Sequence, residues 1–332
     1  MTQPNSTDSE TLGVLINNLG TPDSYQVDDV KKFLKEFLWD ARVVKISRPL
    51  WWFILNIIIL NTRPKKSAAA YKKVWTEHGS PLLSISKKQT DLIRQTLHKA
   101  HINTRVELGM RYGNPSIEEG LGNLRDAGAT RFLIVPLYPQ FSYTTTASVE
   151  DEVIRVLQKW EWRGQNFKIV RHYFDNPDYI EALTKSVTTY WDKNGRAEKL
   201  LISFHGIPQK YADDGDPYAN ECRQTAHLLA QSLNLKPDQW QLGFQSRMGY
   251  QKWLAPYTDH ILRDLGKQGL QSIQVICPGF SADCLETLVE IAMENRAVFL
   301  AAGGKEYSYI PCLNDSEDHI KMLSNQIFQH IQ

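Results

Sequence analysis

Short apolar runs, closed by glycine, proline or asparagine, alternate with longer amphipathic stretches along nearly all of this chain. That alternation restricts the fold more than any other feature. In the first half the runs are residues 12–19 (LGVLINNL), 106–110 (VELGM) and 132–137 (FLIVPL), with helical patterns such as 28–37 and 83–97 between them. The second half repeats the grammar: 167–170 is a weak strand, 200–204 (LLISF) a strong one, and 240–245 and 273–277 follow. Helical patterns at 220–233 and 256–265 separate these, and 315–331 reads as a last amphipathic helix. Strands that alternate with helices predict parallel sheets covered by helices on both faces.

At 332 residues the chain has room for two such units. The expected fold class is therefore α/β, with two doubly wound, Rossmann-type parallel-sheet domains. The expected division is a disordered tail at 1–10, a first domain at 11–155 and a second at 156–312, with the junction near 153–165. In open parallel sheets ligands sit beyond the carboxyl ends of the strands. The residues there are Asn18 to Pro22, Arg111 to Pro115 and Tyr138 to Ser142 in the first half. In the second they are His205 to Pro208, Ser246 to Gly249 and Pro278 to Ser281. If the two edges face each other, they form a cleft, a common place for a ligand.

Several classes of function are disfavoured. Thirty-eight basic side chains oppose thirty-seven acidic ones, so the basic excess of a dedicated nucleic-acid binder is missing. There is no phosphate-binding P-loop, no complete dinucleotide fingerprint and no G-x-S-x-G nucleophile elbow. The four cysteines, Cys222, Cys277, Cys284 and Cys312, form no C-x-x-C pair, which argues against a zinc ribbon or a dithiol redox motif. A reducing cytoplasm is their expected compartment. The first ten residues are polar and do not resemble a secretory signal.

One segment breaks the pattern. Leu50 to Leu60 reads LWWFILNIIIL, with Arg48 before it and Arg63, Lys65 and Lys66 after it. Eleven residues are too few to cross a bilayer as a helix. Either the segment is core, or it is an apolar lip that touches lipid or a greasy ligand, as paired tryptophans with cationic flanks would suit.

Three signals carry chemistry. His205 follows directly on the strong strand, where a rigid element would hold a metal ligand or proton acceptor at a cleft. A histidine satisfied by a loop carbonyl is the plainer alternative. Glu286, Glu290 and Glu294 follow the 273–277 strand and its Pro278-Gly279 turn, and on a helix they stack on one face. A solvated acidic face would explain them too. At a strand end, opposite a histidine, such a row is a plausible path for a divalent cation. Aromatics crowd the same edges: Trp253, Phe280, Tyr112, Tyr138, Phe141 and Tyr143. Most are expected to be core, but a flat slot between such side chains would suit a planar ligand.

At these residues the sequence resembles the ferrochelatases, enzymes that insert ferrous iron into protoporphyrin IX to make protohaem. The stretches that carry the resemblance are NLGTP from Asn18, WTEHGSPL from Trp75, YPQ from Tyr138, LLISFHGIP from Leu200 with GDPY from Gly215, FQSR from Phe244 and DCLETL from Asp283. They cover nearly the whole chain in the family's order. The resemblance implies two flavodoxin-like domains of the class II chelatase type, with the C-terminal helix, about 313–332, returning to the first. It implies that His205 and Glu286 are the catalytic, iron-site residues, that Glu290 and Glu294 form an acidic row behind them, and that Leu19, Ser80, Trp253 and Phe280 line the porphyrin pocket. It implies that Leu50 to Leu60 form a lip over the pocket mouth, with peripheral contact at the inner face of a membrane as one use. Arg48 or Arg63 is expected to meet the propionates.

No organic cofactor is expected, and Fe(2+) enters as substrate. Some relatives carry a [2Fe–2S] cluster on grouped cysteines; only Cys312 lies in that region here, so no iron–sulfur cluster is expected. A monomer is the expected state. Three other readings stay open: a cobalt chelatase on the same fold, a coproporphyrin ferrochelatase, and a non-catalytic tetrapyrrole carrier. The greasy segment argues against the second and the acidic row against the third.

Overall fold

β1 (Leu12–Thr21) is buried along its whole length except at Leu19, as expected of a strand covered on both faces. In this computed structural model, which describes residues 11–162, 167–249 and 251–331, it is an inner strand of the first sheet. It pairs in parallel with β2 (Thr104–Gly113) on one side and β3 (Arg131–Pro136) on the other. β4 (Phe167–Ile169) completes the order β2-β1-β3-β4. The second sheet repeats this arrangement as β6-β5-β7-β8, all parallel, from β5 (Lys199–His205), β6 (Trp240–Gln245), β7 (Ser272–Ile276) and β8 (Glu306–Ile310). In each sheet the chain leaves the first strand for one neighbour and later returns to the other. The resulting switch points lie beside the ends of β1 and β5, where doubly wound sheets hold their ligands.

The strand at 167–170 does not open the second unit. It pairs with β3 at the edge of the first sheet. The expected division at 155/156 and the junction at 153–165 are therefore placed too early: residues 153–159 continue the helix Thr146–Lys159, and the chain leaves the first sheet only after Ile169. Residues 163–166 and the expected tail at 1–10 lie outside the described residues. β8, with the sequence EYSYI, is an addition to the expected strands; it is an edge strand of the second sheet and lacks a continuous apolar run.

Three helices join the two sheets. Ile93 and Leu97 of Pro81–Lys99, Tyr179 and Val187 of Pro177–Asn194, and Met322 and Ile327 of Glu317–Ile331 share one buried cluster with Val14 and Leu133 of the first sheet and Ile202 and Ile276 of the second. The C-terminal helix packs against the other two. Lys88 meets Asp315 at 2.5 Å, and Gln89 Nε2 donates to Asn314 O at 2.8 Å.

His319 on this helix is buried, with Nδ1 2.7 Å from Asn314 O. Burial pushes its pKa down from 6.5 to about 4, against the opposing pull of that carbonyl. In the unfolded chain the imidazole protonates first, so between pH 6.5 and 4 the unfolded state binds the extra proton and stability falls as pH falls. The full linkage is worth about 3 kcal/mol. Urea unfolding of the wild type from about pH 7 to about pH 4 is expected to lose more stability than that of His319→Gln. Equal pH slopes would contradict this.

Candidate functional site

His205 is the last residue of β5, at the switch point of the second sheet. Its Nδ1 lies 2.6 Å from Gly206 O. A carbonyl only accepts, so Nδ1 carries a proton and Nε2 is left to face another partner. The carbonyl partner of the plainer reading is thus present, and it serves to orient the other nitrogen. Gly206 is kept small by its surroundings: a Cβ there would lie 2.9 Å from Gln245 O and 3.4 Å from the Trp253 ring. Phe280 stands beside the imidazole, with centroids 6.4 Å apart and a tilt of 60°.

The acidic row follows β7, but on a π-helix, Glu286–Asn295, rather than on an α-helix. A π-helix turns about once every 4.4 residues and is frequent at functional sites. Residues four apart therefore still share a side, so the row survives the correction. Asp283 fixes the start of this segment. Its carboxylate accepts from Tyr309 Oη at 2.6 Å, Asn314 Nδ2 at 2.7 Å and Thr287 Oγ1 at 3.1 Å. Glu286 and Glu290 are partly buried and Glu294 is exposed, so the row ends at the surface.

His205, Glu286 and Glu290 influence one another electrostatically, although among the described residues no three His, Cys, Asp or Glu side chains are grouped so as to hold a metal ion. Burial pushes the Glu290 carboxyl up; two hydrogen bonds from Ser246 and the attraction of His205 oppose this, and Glu286 adds to it. Glu286 also acts on the buried Tyr71 hydroxyl of the helix Leu60–Val74, which packs on the π-segment from the first unit.

Residues of both units form an apolar cluster beside His205. Leu19, at the end of β1, joins Leu82, Ile85, Phe280, Ala282 and Cys284 in one apolar cluster. Ser80 is buried just before the helix Pro81–Lys99. Trp253 is buried behind the Gly206 turn, and its indole N–H donates to Met248 O at 2.8 Å. Leu19 and Phe280 are thus brought together, while Ser80 and Trp253 stand behind the surface. The two arginines part company. Arg48 stacks on Trp39 at 4.3 Å and donates to Trp39 O at 2.6 Å, whereas Arg63 reaches across to Met248 Sδ at 3.1 Å.

Leu50 to Leu60 are partly core and partly exposed. The helix Arg48–Phe53 runs into a second π-segment, Ile54–Ile59. Trp51, Leu55 and Leu60 are buried, while Leu50, Trp52, Phe53, Ile57 and Ile58 are each at least half exposed. Asp40 ties down the base of this lip by accepting from Arg111 at 2.6 Å, Tyr112 Oη at 2.8 Å and Ser148 Oγ. Among the described residues no helix is long and apolar enough to cross a membrane.

Ser246, Asp283 and Tyr71 join the site although sequence reasoning does not single them out. Ser246 and Asp283 lie within strand-end motifs that it does mark. Tyr71 has no such signal, since helix packing alone brings it in.

Two parallel sheets of this order, with His205 and the carboxylates after strands of the second, give the chain the fold of known chelatases. SirB from Bacillus subtilis, solved with Fe3+, superposes with a TM-score of 0.55 over 96% of this chain and 95% of that one, at 12% identity. The same chelatase with cobalt gives 0.54 over 96% and 94%, at 10% identity. At such identities the likeness speaks for the fold.

The ferrochelatase family profile matches residues 11–331. Ferrochelatase 1 of Shewanella oneidensis is 52% identical, covering 97% of this chain and 96% of that protein. The ferrochelatase of Thioalkalivibrio sulfidiphilus is 51% identical, covering 97% and 88%. The chain belongs to the ferrochelatase family, a family of metal chelatases.

Proposed function

We propose that the chain inserts Fe(2+) into protoporphyrin IX to form protohaem, the terminal step of haem biosynthesis. The observation that carries this reading is the meeting of two unlike surfaces at the switch points. A His205–Glu286–Glu290 row leads to the exposed Glu294, and the apolar Leu19–Phe280 cluster adjoins it through Phe280, which stands beside His205. The first suits a hard or borderline cation and departing protons; the second suits a flat apolar macrocycle.

Free porphyrin holds two N–H protons at its centre. Insertion breaks those two N–H bonds and forms iron–nitrogen bonds, with no change of oxidation state. Apolar walls that fit a bent ring would stabilise the geometry in which the nitrogens open to the metal. His205 Nε2 is the proton acceptor on one side, or the group that hands over the metal. Glu286 holds charge with it, and Glu290 and Glu294 conduct protons or cations outward. Leu19 has no donor atom, so it cannot ligate the iron of the product. Arg63 is the arginine we assign to a propionate, since Arg48 is engaged with Trp39.

The reaction needs no organic cofactor. The absence of an iron–sulfur cluster is supported by the spacing of the cysteines: Cys222, Cys277 and Cys284 are scattered, and only Cys312 lies near the C-terminus. The exposed lip residues support peripheral contact with the inner face of the membrane in a cytoplasmic, monomeric protein.

The test is anaerobic turnover with protoporphyrin IX and Fe(2+), followed by porphyrin absorbance. Conversion of free-base bands to a metalloporphyrin spectrum is expected, and sedimentation with anionic vesicles is expected to weaken in Trp52→Ser/Ile57→Ser. Preference for cobalt or coproporphyrin would move the reading to a sister chelatase. Binding without insertion of any metal would move it to a carrier.

A further inference from the structure

Ser246 follows β6 directly and has φ +67°, a left-handed conformation that side chains other than glycine seldom adopt. In this conformation its backbone N–H and its hydroxyl point the same way. The N–H donates to Glu290 Oε1 at 2.7 Å, and Oγ donates to Oε2 of the same carboxylate. Glycine would adopt this backbone without strain but would supply only the first of the two bonds. The preceding residue ties the same turn to the histidine, since Gly206 N donates to Gln245 O at 2.8 Å. One backbone corner thus touches both the residue after His205 and the middle carboxylate of the acidic row. The same loop continues to Met248, which holds Arg63 of the helix Leu60–Val74 through its sulfur and Trp253 through its carbonyl.

We infer that Ser246 is a positioning residue: it clamps both oxygens of the Glu290 carboxylate and so fixes the acidic row relative to His205. The inference rests on the proposed metal-insertion reading and adds to it a residue outside the row. A carboxylate held by two donors is oriented as well as stabilised, because both of its oxygens are engaged on one side. Its remaining lone pairs then face the groups it serves. Without the hydroxyl, Glu290 keeps one bond and gains a free rotation on a π-helical segment. Porphyrin contacts made by Leu19 and Phe280 are untouched by this change.

The experiment is a double-mutant cycle of Ser246→Gly with Glu290→Gln, assayed with Fe(2+) and protoporphyrin IX. Ser246→Gly relieves the strained backbone, so its melting temperature is expected to equal or exceed that of the wild type. Its kcat is expected to fall about tenfold to a hundredfold, as losing a hydrogen bond to a charged group implies, with the porphyrin KM within about twofold of wild type. On the Glu290→Gln background the same change is expected to alter kcat by less than about twofold. A wild-type kcat in Ser246→Gly, or an equal loss on both backgrounds, would overturn the inference. A crystal structure of Ser246→Gly tests the clamp independently of turnover: a displaced Glu290 carboxylate supports it, and an unmoved one overturns it. If the wild type itself inserts no metal, the functional reading falls, and that structure still decides whether the clamp exists.

Discussion

His205→Ala is expected to lower metal insertion by about a thousandfold or more, within the range for loss of a positioned proton acceptor. Porphyrin binding and the fold should survive. The side chain is only partly buried, and its hydrogen bond to Gly206 O is local. Removing it leaves β5 and its pairs with β6 and β7 in place. The apolar Leu19–Phe280 cluster, which the proposal assigns to the macrocycle, does not include it. Glu286→Gln, nearly isosteric, should cost about a hundredfold by removing charge while keeping shape. The measurement is anaerobic turnover beside a fluorescence titration with porphyrin and a melting curve. Wild-type turnover in either variant would remove that residue from the mechanism. Lost turnover together with lost porphyrin binding or a collapsed melting temperature would mean a structural role instead.

The legibility of this fold follows how deeply each strand is buried. β1, β3 and β5 are inner strands, nearly continuous in apolar residues, and the pattern places them to within about two residues at either end. β4 and β8 are edges, half-covered and short. The pattern assigns one to the wrong unit and passes over the other, because an edge strand needs no uninterrupted apolar run. The histidine and the acidic row are legible because a strand end and a four-residue spacing are local facts. The π-helix beneath the row is not: spacings of four suit both helix types. Ser246 is visible only as part of a motif, since its task depends on a left-handed backbone that no side-chain pattern announces. The lip is ambiguous for a related reason. A helix that buries Trp51 and Leu55 while exposing Trp52 and Ile57 is apolar all round, so its sequence gives no sign of which stripe faces water.

Gly20→Ala is expected to prevent stable folding, although it adds a single methyl group. Gly20 sits near the end of β1, beside Leu19, with φ +110°. A Cβ there would lie 1.7 Å from Tyr112 O and 2.7 Å from Tyr112 C, both backbone atoms of the strand it pairs with. No rotamer change relieves a clash with backbone; β1 and β2 would have to part at the edge that forms the cleft. Loss of that pairing, with the strained φ, should cost about 4–5 kcal/mol, the exceptional end of single substitutions. That is most of the stability of an ordinary domain. Gly128→Ala is the control. It also has a positive φ, +89°, but a Cβ there would meet nothing within 4 Å. It should cost only the conformational strain, about 1–2 kcal/mol. Soluble yield and urea midpoints of the two variants make the comparison. If Gly128→Ala is mild and Gly20→Ala is lost to the pellet, the close approach of β1 to β2 is what demands glycine beside the site. If both fall equally, backbone conformation alone explains Gly20, and the end of β1 has room to move.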